Sequence, residues 1–220
     1  MLRLFIIKLI AVSLSFCLST VLLAQDDLTQ TSDKSFDAGL REAYDSFQHG
    51  KYLQTRERLK SLNAELDART EKNKTLLGLL AYWRGVTANR LNEFTAAIGF
   101  FEQSINLDYR PKDIYYEYGQ ALYASEKLKA ARKAFGESFK RGHKRGVSLY
   151  YLGFISQTIK DEKQAVVFYR SIESLPVEEQ EGTLQPAKMQ MGDIFLSKAE
   201  KRPDTIKVLE AYVIPYYKEA

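Results

Sequence analysis

Three stretches of this sequence align when they are offset by 34 residues. They read YWRGVTANRLNEFTAAIGFF at 82–101, YEYGQALYASEKLKAARKAF at 116–135 and YYLGFISQTIKDEKQAVVFY at 150–169. A tyrosine, a glycine, an alanine and a second aromatic residue recur at matching places, which indicates a repeated structural unit rather than coincidence. The four columns are Tyr82, Tyr116 and Tyr150; Gly85, Gly119 and Gly153; Ala97, Ala131 and Ala165; and Phe101, Phe135 and Tyr169.

The apolar residues between 36 and 220 follow helical spacing, in segments divided by short polar or glycine-containing turns. A glycine inside a helix costs roughly 1 kcal/mol relative to alanine, so three glycines in register indicate close packing of helices. We therefore predict helical hairpins in which the glycine column faces the alanine column at the tightest contact. The second aromatic column is predicted to fill the wider gap toward the next hairpin.

This pattern resembles the tetratricopeptide repeat (TPR), which has a small residue midway through its first helix and an alanine and an aromatic residue in its second. The resemblance implies an all-α fold, a right-handed α-solenoid of about five helix-turn-helix hairpins. It assigns three contiguous clear repeats, at 78–111, 112–145 and 146–179. Pro111 and Pro176 fall near repeat ends, where the family places a helix-stopping proline.

A degenerate repeat is predicted near 36–69, on the N-terminal side of the clear repeats. Ala43 takes the glycine position, Thr55 the alanine position and Leu59 the aromatic position. The step from the Ala43 position to the next glycine of the column is longer than one period. We therefore expect extended helices or a loop around 68–74.

A second degenerate repeat is predicted near 185–218, on the C-terminal side. Its helices are expected at 185–199 and 204–214, after an acidic loop at 177–182. The chain ends on an apolar segment at 212–217 that lacks a polar closing helix. That end is therefore expected to need a capping partner or further structure.

Residues 1–24 are predicted to be a cleavable signal peptide. Arg3 and Lys8 supply positive charge before an apolar run that ends at 24. The charge-free part of the run is about 15 residues, below the roughly 20 that a membrane-spanning helix needs. An uncleaved N-terminal anchor remains the alternative. The polar segment at 25–35 is expected to be a flexible lead-in.

Cys17 is the only cysteine and lies inside the apolar run of the signal peptide. A mature chain without it has no disulfide, no thiol nucleophile and no cysteine metal ligand. Lipidation at Cys17 is an alternative, because Leu14 stands three residues before it as in bacterial lipoprotein signals. The bulky Phe16 argues against that alternative, and we interpret Cys17 as a small hydrophobic residue.

The charge balance gives no case for nucleic-acid binding. The full chain has 32 basic and 28 acidic residues, and removal of Arg3 and Lys8 leaves 30 against 28, a net charge of +2. His49 and His143 have no spacing that suggests a metal site. The sequence also lacks a phosphate-binding glycine loop, a nucleophile elbow and converging catalytic carboxylates. We therefore predict a non-enzymatic protein without a metal or cofactor.

Two charged segments are interpreted as structural or solvated. The basic residues at 140–145 follow the second helix of the middle repeat, where cations interact favourably with the helix dipole. An anionic-ligand site is the alternative for them. The acidic pair Glu178 and Glu179 is interpreted as solvated charge in a loop.

The family resemblance places a partner-binding groove along the first helix of each repeat. Groove-facing positions in the family are roughly the second, fifth, ninth and twelfth of each repeat. Since the fifth position is tyrosine in all three repeats, we predict no carboxylate clamp for an acidic C-terminal tail. The predicted groove residues are Tyr82, Val86, Asn89, Asp113, Tyr116, Gln120, Tyr123, Tyr150, Phe154 and Gln157.

These features predict a scaffold or adaptor of the bacterial cell envelope that binds a segment or helix of another envelope protein. The signal peptide implies export to the periplasm, and association with the outer membrane is a further expectation. Membrane contact would come through the partner or, alternatively, through lipidated Cys17 or an uncleaved anchor. The alternative function is a structural component of an outer-membrane or secretion complex that docks through the segment at 212–217.

Overall fold

The computed structural model describes residues 34–69 and 73–199. Within those ranges the chain forms ten helices and no strand, which confirms the all-α prediction. The predicted signal peptide and the predicted helix at 204–214 lie outside the described residues. The helices are α1 (Lys34–Gln48), α2 (Tyr52–Asp67), α3 (Lys74–Arg90), α4 (Phe94–Asn106), α5 (Ile114–Ala124), α6 (Leu128–Lys140), α7 (Arg145–Thr158), α8 (Glu162–Glu173), α9 (Val177–Gln180) and α10 (Leu184–Ala199).

The 34-residue period is visible in the backbone of the three clear repeats. Helices α3 and α4, α5 and α6, and α7 and α8 pack as hairpins. Each hairpin turns through a residue in the left-handed region, at Asn92, Glu126 and Lys160, with φ of 60°, 58° and 67°. The first repeat begins earlier than predicted, because the Asn73 side chain accepts a hydrogen bond from the Leu76 amide and caps α3.

The partner of the glycine column differs from the prediction. A Cβ added to Gly85 would lie 2.7 Å from the ring of Phe101, and one added to Gly153 would lie 2.5 Å from the ring of Tyr169. The glycines therefore face the aromatic column of their own hairpin, and not the alanine column as predicted. The reason is that a flat ring lies directly against a helix backbone that carries no side chain.

The aromatic column also contacts the following repeat, as predicted. The rings of Phe135 and Tyr151 stack with centroids 4.4 Å apart and an interplanar angle of 1°. The rings of Phe101 and Tyr118 lie 6.2 Å apart across the preceding junction. One aromatic residue thus connects the two helices of its own hairpin with the first helix of the next.

The described residues divide into two compact units, 34–62 and those from 63 onward, and the first belongs to the N-terminal degenerate repeat. Helix α1 begins at Lys34, two residues before the predicted onset of order at Phe36. Ala43, Thr55 and Leu59 are buried, and the Thr55 hydroxyl donates a hydrogen bond to the Lys51 carbonyl. The helix break after α2 falls within the predicted range of 68–74.

The predicted acidic loop at 177–182 contains the short helix α9, whose backbone lies against the start of α7. A Cβ at Gly146 would come within 2.6 Å of the Glu179 carbonyl oxygen. Arg145 bonds the Glu179 carboxylate at 2.5 Å, and Lys144 bonds Glu181 at 3.2 Å. Glu179 is therefore an ion-pair partner of α7 and not a solvated charge as interpreted, whereas Glu178 is exposed.

Helix α10 follows and packs against α8 through Ala187, Met191 and Ile194, which are buried. It matches the first predicted helix of the C-terminal degenerate repeat. In the described part of the chain, no helix combines the length and the apolar character that crossing a bilayer requires.

Candidate protein-binding surface

Three of the predicted groove residues are buried and present little surface to a partner. Tyr82, Val86 and Asn89 of α3 are each less than 8% exposed, because α5 and the residues before it cover them. The Tyr82 hydroxyl donates to the Asp113 carboxylate at 2.6 Å. The Asn89 amide donates to the backbone carbonyl of Glu117 at 2.8 Å. These residues therefore join two repeats, which corrects the prediction that they line a groove.

Sequence reasoning missed an ion pair at the same junction. Arg90 donates two hydrogen bonds to the Glu117 carboxylate, at 3.0 and 2.8 Å, and the Glu117 side chain is only 9% exposed. The two-bond geometry matches the fork of a guanidinium to the two oxygens of a carboxylate. Nothing in the 34-residue columns points to this pair, since neither residue recurs in the other repeats.

The remaining predicted aromatic residues form a half-buried surface on α5 and α7. The ring of Tyr123 lies 6.2 Å from the ring of Phe154, and the rings of Phe154 and Tyr150 are 6.4 Å apart. Beside them the Gln120 amide donates to the Tyr116 hydroxyl at 3.0 Å. We call these five residues the aromatic surface.

Tyr116 and Tyr150 also contact the buried aromatic residues of their own hairpins. Their rings lie 6.1 Å from Phe135 and 5.8 Å from Tyr169, contacts that repeat with the 34-residue period. Gln157, the last predicted groove residue, accepts a hydrogen bond from the Tyr169 hydroxyl at 3.1 Å. Among the predicted positions, Tyr123 and Phe154 therefore have the least role in closing their own hairpins.

Tyr151 belongs beside the aromatic surface, although sequence reasoning did not include it. Its ring lies 5.4 Å from that of Tyr123, in addition to stacking on Phe135 of the preceding repeat. Tyr150, its neighbour in sequence, turns instead toward Tyr169 in its own hairpin. Adjacent positions on a helix are separated by about 100°, so the two rings serve different contacts.

Burial raises the pKa of the phenols of this surface further above their ordinary value near 10. Desolvation raises the pKa of Tyr116 to about 12, and burial also raises the pKa of Tyr123 and of Tyr150. At physiological pH each of these hydroxyls is therefore a neutral hydrogen-bonding group at the edge of an apolar ring. Side chains of this type combine rigid contact area with a polar tip, which is typical of binding hot spots.

The basic residues at 140–145 border this surface but are largely engaged within the protein. Lys140 pairs with Glu137 at 2.8 Å, and the Arg141 guanidinium lies 4.7 Å from the centre of the Tyr115 ring. The His143 ring lies 5.8 Å from that of Tyr116, and burial lowers the pKa of His143. Within residues 34–69 and 73–199, no cluster of three histidine, cysteine or acidic side chains is placed to hold a metal ion.

Comparisons by sequence find no matching protein-family model and no matching curated protein. Solved structures do match. YrrB, described as a TPR protein with an unusual peptide-binding site, gives a TM-score of 0.61 at 15% identity, over 84% of this chain and 88% of YrrB. MamA from Desulfovibrio magneticus RS-1 gives 0.55 at 14% identity, over 66% of this chain and 77% of that chain.

BtubC from P. vanneervenii gives a TM-score of 0.58 at 12% identity, over 88% of this chain and 89% of that chain. Identities this low carry information about the fold and not about ligands. At the level of the fold, YrrB and this chain share an architecture of helical hairpins. The protein therefore has the helix-turn-helix fold of tetratricopeptide-repeat proteins.

Proposed function

We propose that this protein is a non-enzymatic binding scaffold of the bacterial cell envelope, which captures a segment or helix of another envelope protein. The observation that carries the proposal is the aromatic surface on α5 and α7. Tyr123, Tyr150 and Phe154 form a continuous set of ring contacts across two repeats, and all three remain half-buried rather than enclosed.

Binding at this surface would work by burial of apolar area together with directional hydrogen bonds. The rings are already positioned by contacts within the hairpins, so little side-chain entropy is lost when a partner docks. Their neutral hydroxyls and the Gln120 amide can pair with backbone groups of a bound segment. The peptide-binding site in the description of YrrB makes a peptide ligand a reasonable choice for the same fold.

The envelope location rests on the sequence at 1–24. Export would remove that segment and leave a mature protein beginning at Gln25. Cell fractionation together with mass spectrometry of the mature N-terminus tests this part of the proposal. A chain that retains Met1 and Cys17 in the inner-membrane fraction would replace periplasmic export with an anchored state.

The partner surface is tested by crosslinking and pull-down from a native envelope fraction. The Tyr123→Ala/Phe154→Ala variant should lose capture of a specific partner, because it removes contact area with little effect on hairpin closure. Tyr115→Ala is the matched control, since Tyr115 is another half-buried tyrosine of α5 but contacts Arg141 instead. Circular dichroism establishes that the variants keep wild-type helix content.

Capture that survives in the double variant would contradict binding at the aromatic surface. If that capture disappears when the chain is cut after residue 199, the alternative of docking through the segment at 212–217 becomes the better account. That segment lies outside the described residues, so the truncation is its direct test.

A further inference from the structure

A second surface of the clear repeats carries an open groove that shares no residue with the aromatic surface. It lies between α6 and α8, with residues of α7 at its base, and encloses about 820 Å³. Binding cavities in proteins commonly measure roughly 300–1,000 Å³. The groove extends from Leu128 to Lys140 and so follows the full length of α6.

The base of this groove is apolar and reaches solvent. Leu149 and Leu152 of α7 line the groove, and both are buried. Val167 is 53% exposed and Ile159 is 42% exposed, and both line the groove. Large exposed hydrophobic side chains that gather in one concavity are typical of a site that another chain covers.

Gly136 leaves the groove open at the middle of α6. It lies within α6, where a glycine costs roughly 1 kcal/mol relative to alanine. A Cβ at this position would meet no atom within 4 Å, so packing inside the described chain does not require the glycine. The missing side chain instead widens the groove at the middle of α6.

The rim of the groove is positively charged. Lys129, Lys133 and Lys140 lie along α6, and Arg132 extends over the Phe168 ring at 5.8 Å from its centre. Among the residues that the structure describes, no carboxylate belongs to the lining, and Lys140 is the one of these cations that forms an ion pair, with Glu137. The groove therefore combines an apolar base with an uncompensated basic edge.

We propose that this groove binds an acidic amphipathic helix of a partner protein. The 13 residues of α6 extend for about 20 Å at 1.5 Å per residue, which matches about 13 residues of a docked helix. Its apolar stripe would cover Val167, Ile159 and the leucines, while its carboxylates would meet the lysines of the rim. Recognition of this kind uses apolar side chains at i, i+3, i+4 and i+7.

The concave shape favours a helix over an anionic membrane surface. A peripheral membrane site buries protruding apolar side chains in the lipid, whereas here the buried Leu149 and Leu152 line a recess between α6 and α8. The charges of the rim attract either ligand. Only a narrow partner can bring carboxylates to the lysines and apolar atoms to Leu149 and Leu152 at the same time.

Fluorescence anisotropy with the purified full-length chain tests the proposal. The probe is a labelled synthetic peptide of about 14 residues with leucines at i, i+3, i+4 and i+7 and glutamates elsewhere. The first variant, Lys129→Glu/Lys133→Glu, reverses the charge of the rim. The second, Gly136→Leu, fills the base from a position where the structure has room. Lys60→Glu/Lys74→Glu is the control with the same charge change at exposed lysines outside the groove.

The wild type and the control should bind the peptide, and each groove variant should raise the Kd by about tenfold or more. Absence of binding to the wild type would overturn the proposal. So would equal binding of a scrambled peptide of the same composition, or variants that bind as the wild type does. Circular dichroism of both variants excludes unfolding as the cause of a loss.

Two further measurements separate other occupants. Association with phosphatidylglycerol vesicles that depends on Lys129 and Lys133, without peptide binding, would replace the helix with a lipid surface. Sedimentation velocity that shows a dimer lost in Gly136→Leu would assign the groove to a second copy of this chain. Either result overturns the proposal, and neither bears on the role of Tyr123 and Phe154 in the proposed function.

Discussion

At the residue scale, the hydrogen bond between Tyr82 and Asp113 joins two repeats through a polar pair that is largely buried. Tyr82 is 7% exposed, and its hydroxyl donates to the Asp113 carboxylate. Burial raises the pKa of Asp113 above its ordinary value of 3.8, although the bond from Tyr82 opposes that rise. The charged carboxylate is thus held in a place that penalises its charge, while its hydrogen bond orders α3 against the start of α5.

Asp113→Asn should raise the free energy of unfolding at pH 7, because the amide oxygen still accepts from Tyr82 and carries no charge to desolvate. A carboxyl whose folded-state pKa is raised destabilises the fold above that pKa, and the penalty disappears as pH falls toward its unfolded value. The gain should therefore shrink as pH falls below the raised pKa of Asp113 and should be absent below about pH 4. Urea unfolding of both proteins across pH 3–8 measures it, and a difference that grows toward low pH would contradict this assignment.

At the scale of the helical element, two groups of glycines within the described helices differ in what they face, while Gly146 lies against the backbone of α9. Gly85, Gly119 and Gly153 each face an aromatic ring of the second helix in the hairpin. Gly99 and Gly136 face open space instead. Sequence alone cannot separate the two kinds, except that the first recurs with the 34-residue period and the second does not.

This difference predicts opposite effects of the same substitution. Gly153→Ala should lower the free energy of unfolding by about 1–3 kcal/mol, because the new Cβ would lie 2.5 Å from the fully buried Tyr169. Gly136→Ala should raise it by about 0.5–1 kcal/mol through helix propensity alone. Thermal and urea unfolding of the two variants provide the comparison, and a loss of stability in Gly136→Ala would show that α6 packs differently.

At the scale of the whole molecule, the described residues from 63 onward form a series in which each hairpin contacts the next. Helix α5 packs against both helices of the preceding hairpin, α7 packs against α6, and α10 packs against α8. In such a series, stability is approximately the sum of hairpin and junction contributions. The junction between the first and second clear repeats is unusual, because the ion pair of Arg90 and Glu117 is added there to the aromatic contacts.

Glu117→Ala should lower the stability of that junction by about 2–3 kcal/mol. This loss is smaller than the cost of breaking a fully buried ion pair, because Arg90 remains 37% exposed. Hydrogen exchange should then show faster opening of α3 and α4, with α7 and α8 little changed. Trp83, the only tryptophan, lies on α3 and reports the same event by fluorescence. If hydrogen exchange became faster to the same extent in all six helices from α3 to α8, the three hairpins would unfold as one cooperative unit.

The sequence by itself determined the repeated hairpins, because Gly85, Gly119 and Gly153 recur with the aromatic column at a constant spacing. Each hairpin is a local structure, so the residues that pack within it recur in the sequence with the repeat period. The family resemblance that rests on this spacing predicted Tyr123, Tyr150 and Phe154 as residues of a partner-binding groove.

Only the tertiary structure decided what joins and covers the hairpins. It placed Tyr82, Val86 and Asn89 under α5, formed the pair of Arg90 and Glu117, and folded α9 back onto Gly146. It also brought the lysines of α6 and the exposed Val167 of α8 into one groove. These contacts link residues that occur once in the chain and lie far apart in sequence, so no period or local propensity records them.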